Sequence, residues 1–159
     1  MNYLWLKWLH LLGASVLFGT GLGIAFYAWY GYRRGIATGD IGLIRGVLHL
    51  TVIADAVFTA TAAVAQPATG YLLWHGTGGT WPDTWLNWVL GLYLFVGVCW
   101  LPVVWLQIRL RDMALRADAV DRLGDRFHRT FRLWFALGWP AFLAVLALFG
   151  LMLARGFFR

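Results

Sequence analysis

Glutamate does not occur in this chain of 159 residues, and lysine occurs once, as Lys7. Charged residues make up 13% of it, against about a quarter in soluble domains. So small a supply of charge cannot give long apolar helices the polar outer faces that water demands. The lone cysteine, Cys99, excludes an intrachain disulfide and reads as a small apolar packing residue. Phosphate-binding loops, nucleophile elbows, paired-cysteine metal sites and zinc-protease motifs are all missing. The run Gly19-Thr20-Gly21-Leu22-Gly23 has the look of a nucleotide loop, but it lies inside an apolar helix with no strand before it.

What the chain has instead is hydrophobic length. Hydrophobic residues make up 61% of it, concentrated in stretches over about 3–30, 47–74, 85–108 and 133–154. Each reaches the roughly 20 residues that a helix needs to cross the hydrocarbon core. A chain of this size cannot bury four such helices on every side, so lipid must cover them. The expectation is an all-α integral membrane four-helix bundle forming a single transmembrane domain over 1–159. The first stretch is far longer than the apolar core of a secretory signal and has no basic region before it, so it reads as a retained helix.

The formal charge of +6 suggests nucleic acid by number, but its placement points to membrane topology. Arg33, Arg34 and Arg45 flank the first gap. Arg109, Arg111, Arg116, Arg122, Arg126, Arg129 and Arg132 flank the third, and the second gap, His75 to Thr84, has no basic residue. The positive-inside rule then puts the first and third gaps in the cytoplasm and both termini on the outer, periplasmic side of a bacterial inner membrane.

The third gap is patterned as a helix. Asp112 and Arg116, Asp118 and Arg122, and Asp125 and Arg129 are each four apart with the acid first, the favourable order for pairing. Met113, Ala117, Val120, Leu123 and Phe127 form a stripe at helical spacing. A cytoplasmic helical hairpin turning near Gly124 is expected between the third and fourth spans.

Three further features bear on packing. Gly19 and Gly23 form a G-x-x-x-G pair, which permits close helix approach in lipid, either within the chain or in a homodimer. Pro67 frees the carbonyl of Ala63, which predicts a kink and a polar pocket near the outer surface. Trp5, Trp8, Trp74, Trp81, Trp85 and Trp88 gather toward the outer boundary, mostly as headgroup anchors, with some available to wall a pocket for a flat ring such as a porphyrin or quinone.

Ionisable groups within a membrane are costly and mark candidate functional positions. At 1.5 Å per residue, His10 lies roughly 10 Å outside the midplane, level with Gln66, and Asp55 roughly 8 Å inside it. Asp55 reads either as a helix-locking acid or as a proton-transfer group. His10 reads either as an imidazole bonded to Gln66 or a backbone carbonyl, or as a haem ligand. His75 would supply a second axial ligand only if the end of the second helix folds back. His49 and His128 read either as a second site near the cytoplasmic face or, the favoured reading, as neutral interfacial histidines beside Arg45 and Arg129.

The segments Trp5-Leu6-Lys7-Trp8-Leu9-His10, Gln66-Pro67-Ala68-Thr69-Gly70 and Gly138-Trp139-Pro140-Ala141-Phe142, with Trp134 and Met152, resemble a bacterial family of predicted integral membrane proteins, domain of unknown function two-two-six-nine. The resemblance covers essentially the whole chain. More distantly, Lys7 and His10 on the first of four helices resemble the membrane protoporphyrinogen oxidases and the copper-resistance CopD proteins. The former resemblance implies a haem-bearing, quinone-linked redox bundle with Lys7 and His10 as matching positions. A histidine-lysine pair on a later helix is missing here.

The functional expectation is a small redox protein that holds haem b at His10 and exchanges electrons with quinol or a partner protein, with Asp55 in a proton path. Its competitor is a non-catalytic accessory or assembly subunit of a larger membrane complex. A solute or metal-ion carrier is less favoured, because four spans leave little room for alternating access.

Overall fold

The computed structural model describes residues 3–81 and 83–154. It contains five α-helices: α1 (Tyr3–Thr38), α2 (Ile41–Ala54), α3 (Ala60–Gly76), α4 (Thr84–Arg116) and α5 (Gly124–Leu153). A π-helical turn, Asp55–Thr59, joins α2 to α3 without a break, so the chain has four helical rods long and apolar enough to cross a membrane. The all-α, membrane-spanning expectation holds.

The rods are longer than the apolar runs suggested. The first reaches Thr38 rather than Tyr30 and the second begins at Ile41 rather than Val47, so Arg33, Arg34 and Arg45 lie on helices and the first gap shrinks to Gly39 and Asp40. Gly39 turns the chain at φ 68°, and the Asp40 side chain accepts from the Leu43 N–H at 2.9 Å, capping α2. Hydropathy marks where lipid ends, not where hydrogen bonding ends, and basic helical extensions therefore escape it.

The expected hairpin between the third and fourth spans forms. The chain leaves α4 at Ala117, passes a 3₁₀ turn over Val120–Arg122 and enters α5 at Gly124, whose φ is 65°. The apolar stripe holds, since Ala117, Leu123 and Phe127 are buried with Met113 and Val120 packed against them. The three acid-first pairs do not form. The salt bridge here joins neighbours, Arg111 and Asp112, at 2.7 Å. Asp118 and Arg122 sit in the turn rather than on a helix, which removes the spacing that the pairing needs.

α1 packs on α2 and α3, α4 packs on α5, and α2 joins the two pairs through α4. The core gathers at the arginine-rich end: Ile24 and Ala28 of α1 meet Ile44 and Leu48 of α2, Leu106 and Leu110 of α4, and Phe127 and Phe131 of α5. Close approach of α1 and α2 depends on Gly31 and Gly35. A Cβ on Gly31 would lie 2.5 Å from Val47, and one on Gly35 2.4 Å from Ile44. The pair Gly19 and Gly23 meets nothing within 4 Å, so it does not serve packing within the chain.

Arg45 fastens the two hairpins. Its Nε donates to the carbonyl of Ala114 at 3.0 Å, which among the described residues otherwise takes only the long 3.4 Å bond from the Ala117 N–H, and an Nη donates to the carbonyl of Ala117 just past the end of α4. At the same end, Arg33 lies over the Trp29 ring at 5.5 Å and Arg109 over Trp105 at 3.9 Å. Such stacked cations at the edge of apolar rods mark an interface level.

At the opposite end, Trp5, Trp8, Trp81 and Trp88 are exposed as anchors should be. Trp74 and Trp85 are not anchors. Both are buried, and their indoles donate to Asp83 Oδ2 at 2.9 Å and to the Leu151 carbonyl at 2.8 Å.

Candidate functional site

Asp55 stands at the first position of the π turn and is only 6% exposed. Its two oxygens accept from α4: Gln107 Nε2 donates to Oδ2 at 2.7 Å and Trp100 Nε1 to Oδ1 at 3.2 Å. Gln107 in turn accepts a long bond from Trp134 Nε1 of α5 at 3.4 Å. One carboxyl thus ties three spans together through two indoles and an amide. In a low-dielectric interior such a network is far stronger than in water, and correspondingly costly to leave incomplete.

It is incomplete in two places. The hydroxyl of Tyr27, beside Thr51 and Asp55, and that of Thr59 are buried without a hydrogen-bond partner among the described residues. The case of Thr59 follows from the π turn. In an α-helix its hydroxyl would donate to the carbonyl four residues back, as Ser15, Thr38, Thr51, Thr61, Thr69 and Thr130 all do. That carbonyl belongs to Asp55, and in the π turn it is aligned with the N–H of Ala60, five residues on, rather than with residue 59. π turns of this kind are frequent at functional sites.

Asp55, Thr59, Trp100, Gln107 and Trp134 line a cavity of about 730 Å³ whose walls come from all four rods and which is open on one side. Its remaining walls are apolar and strongly aromatic, with Phe18, Trp29, Tyr93, Phe135, Trp139 and Phe142 among them. This volume lies within the roughly 300–1,000 Å³ of small-molecule sites, and a few convergent polar groups on an apolar wall are their usual composition. The pocket expected near the outer surface is therefore replaced by one deep between the rods. Pro67 does not unwind its helix, because the Tyr93 hydroxyl of α4 donates to the Ala63 carbonyl that the proline leaves free.

The terminal end carries a separate clasp. His10 Nδ1 and Thr69 Oγ1 are hydrogen-bonded at 2.7 Å, and Gln66 Nε2 donates to the His10 carbonyl at 2.9 Å. His10 and Gln66 are together, as their shared depth implies, although the imidazole itself meets Thr69. The ring packs directly on α3, so that a Cβ at Gly70 would lie 3.2 Å from it. His75 is exposed near the end of α3, with its ring 6.1 Å from that of Tyr71, and the helix does not fold back. It stands five residues beyond Gly70, about 7.5 Å along the axis. A macrocycle between His10 and His75 would have to displace the contact of His10 with α3, so this pair does not fit a six-coordinate haem. Lys7 is exposed one turn before His10.

The other histidines are apart as well. His128 Nδ1 is 2.7 Å from the Tyr32 hydroxyl, while His49 is exposed on α2. Among the described residues there is no group of three or more histidine, cysteine or acidic side chains that could hold a metal ion.

The family of predicted integral membrane proteins DUF2269 matches residues 4–156. The chain belongs to that family. No curated protein and no solved structure is significantly similar to it.

In this DUF2269 protein, sequence reasoning singled out Asp55 and missed all of its hydrogen-bond partners. Gln107 sits at the edge of the third apolar run and reads as the start of the polar extension. Trp100 and Trp134 read as two more residues of a tryptophan-rich chain. Nothing in the residues Asp55–Thr59 signals a π turn, and Thr59 becomes distinctive only once that turn removes its acceptor.

Proposed function

We propose that this protein binds a quinone-class ring in its intramembrane cavity, where Asp55 accepts from a hydroxyl of the reduced ring. It would serve as the quinone-exchanging part of a membrane redox complex, in which oxidation of the ring passes two electrons to one-electron carriers on a partner protein and two protons to water, one of them by way of Asp55. The observation that carries this reading is a buried carboxyl opening onto a ring-sized cavity with aromatic walls. A carboxylate accepting two N–H bonds keeps lone pairs for a hydroxyl donor, and indole and phenyl faces suit a flat ring. The arginine-rich end as the cytoplasmic side of a bacterial inner membrane belongs to the same reading, on the positive-inside rule.

Haem b enters this reading only through His10, whose Nδ1 is engaged with Thr69 and whose Nε2 would give five-coordinate iron. No step of the proposed chemistry runs through it. A visible spectrum of the purified protein tests it directly, because a Soret band that His10→Ala abolishes would restore the haem reading. The quinone reading is tested by solvent extraction of protein purified from its own membranes in mild detergent. Mass spectrometry should find quinone at near-stoichiometric level in the wild type and strongly reduced in a bulky cavity variant, Gly97→Leu. Equal, trace amounts in both would end the proposal.

The accessory-subunit reading keeps one observation in its favour, the open Gly19 and Gly23 face of α1. A stoichiometric membrane partner lost on Gly19→Leu, in protein that carries no quinone, would select it.

A further inference from the structure

Thr59 is the feature of the cavity that the packing of the chain does not account for. It is 7% exposed, it lines the cavity, and its hydroxyl has no hydrogen-bond partner. A hydroxyl stripped of water and left unpaired is unfavourable, and valine would fill the same volume without that cost. The situation arises in the π turn, where the carbonyl of Asp55 is aligned with Ala60 rather than Thr59, and the Thr59 hydroxyl, one turn along from the carboxyl, has no partner among the described residues. Two residues with unlike polar groups therefore line the same aromatic-walled space, an acceptor with spare lone pairs and a hydroxyl able to donate.

We infer that Thr59 and Asp55 read the oxygen substituents of the bound ring, Thr59 Oγ1 donating to a ring carbonyl and Asp55 accepting from a ring hydroxyl. This rests on the quinone-class reading above and adds to it a division of labour by oxidation state. A ring carbonyl has only lone pairs to offer, so an acceptor such as the Asp55 carboxylate gives it nothing, whereas the Thr59 hydroxyl is a donor with no other partner among the described residues. A ring hydroxyl reverses the case, because its proton can reach a carboxylate oxygen that Trp100 and Gln107 leave half-used. The pair thus sets the relative affinity for the oxidised and reduced ring. Tyr27 lies beside Thr51 and Asp55 and is not among the residues that line the cavity, so it does not substitute for Thr59.

The test is equilibrium binding of decylubiquinone and, anaerobically, of its quinol to the full chain in lipid nanodiscs. The readout is quenching of emission from the cavity tryptophans Trp100, Trp134 and Trp139. Thr59→Val should weaken quinone binding about tenfold while changing quinol binding less than about threefold, the loss expected of one buried hydrogen bond. Asp55→Asn should show the opposite bias, and Thr59→Ser, which keeps the hydroxyl, should bind both forms within about threefold of the wild type. Loss of both forms to the same extent in Thr59→Val, or of neither, overturns the inference while leaving the quinone reading intact. A wild type that binds neither form sinks the quinone reading, and with it this one.

Discussion

The Tyr93 hydroxyl donates to the carbonyl of Ala63, the acceptor that Pro67 deprives of its helical partner four residues on. A proline inside a membrane helix leaves an acceptor that lipid cannot satisfy, and a neighbouring rod supplies the missing proton. Tyr93→Phe should therefore destabilise the protein by about 1 kcal/mol. In a Pro67→Ala background the restored backbone N–H competes for the same carbonyl, and the cost of Tyr93→Phe should shrink. Reversible unfolding in mixed micelles across this double-mutant cycle measures it, and a coupling near zero would show that the two residues act independently.

Gly35 and Gly19 make opposite predictions although both lie on α1. A Cβ at Gly35 would press on Ile44 at 2.4 Å and on the Asp40 carbonyl at 2.9 Å, so Gly35→Ala should cost about 1–3 kcal/mol. Gly19 has open space, and Gly19→Ala should be neutral or stabilising by up to about 1 kcal/mol through helix propensity. Thermal unfolding of the two variants side by side decides the matter. If Gly19→Ala is the more damaging one, the stripe it belongs to is an interface with another chain.

The contrast between those glycines shows what a sequence carries in a membrane protein and what it withholds. Hydropathy fixed the number of rods because lipid imposes one rule on every exposed residue. It could not say which of two G-x-x-x-G pairs, 19 and 23 or 31 and 35, faces a neighbour, because small residues look alike whether they meet a helix or a lipid chain. Depth was nearly legible as well. The depth read for Asp55, roughly 8 Å inside the midplane, fits bonds to Trp100 and Gln107 in the middle and inner half of the third rod. The π turn was not legible at all, since it depends on how α2 and α3 meet α1 and α4 together.

Arg45 looks in the sequence like one more topogenic charge, yet it is half-buried and bonded to two backbone carbonyls on α4. A guanidinium presents donors in a fixed fork, and an ammonium does not. Arg45→Lys should therefore lose most of the stabilisation and Arg45→Ala about 2 kcal/mol, with separation of the hairpins rather than unwinding of either. Amide exchange would show this as early opening around Ala114 to Ala117 with helical content unchanged. Full retention of stability in Arg45→Lys would mean that charge alone, not the fork, closes the end of α4.

Orientation in the membrane follows from where arginine is absent as much as from where it gathers. Thr80, in the turn after α3, and Ala119, in the turn before α5, are both exposed and stand at opposite ends of the rods. In a Cys99→Ala background, Thr80→Cys should react with a membrane-impermeant maleimide on intact cells, and Ala119→Cys only after permeabilisation. Asp55 is nearer the arginine-rich end along the second rod, so in the proposed function this labelling pattern would make the cytoplasm the closer reservoir for a proton passed to it. The reverse labelling pattern would move that reservoir to the periplasm and invert the direction in which the cavity could load or release a proton.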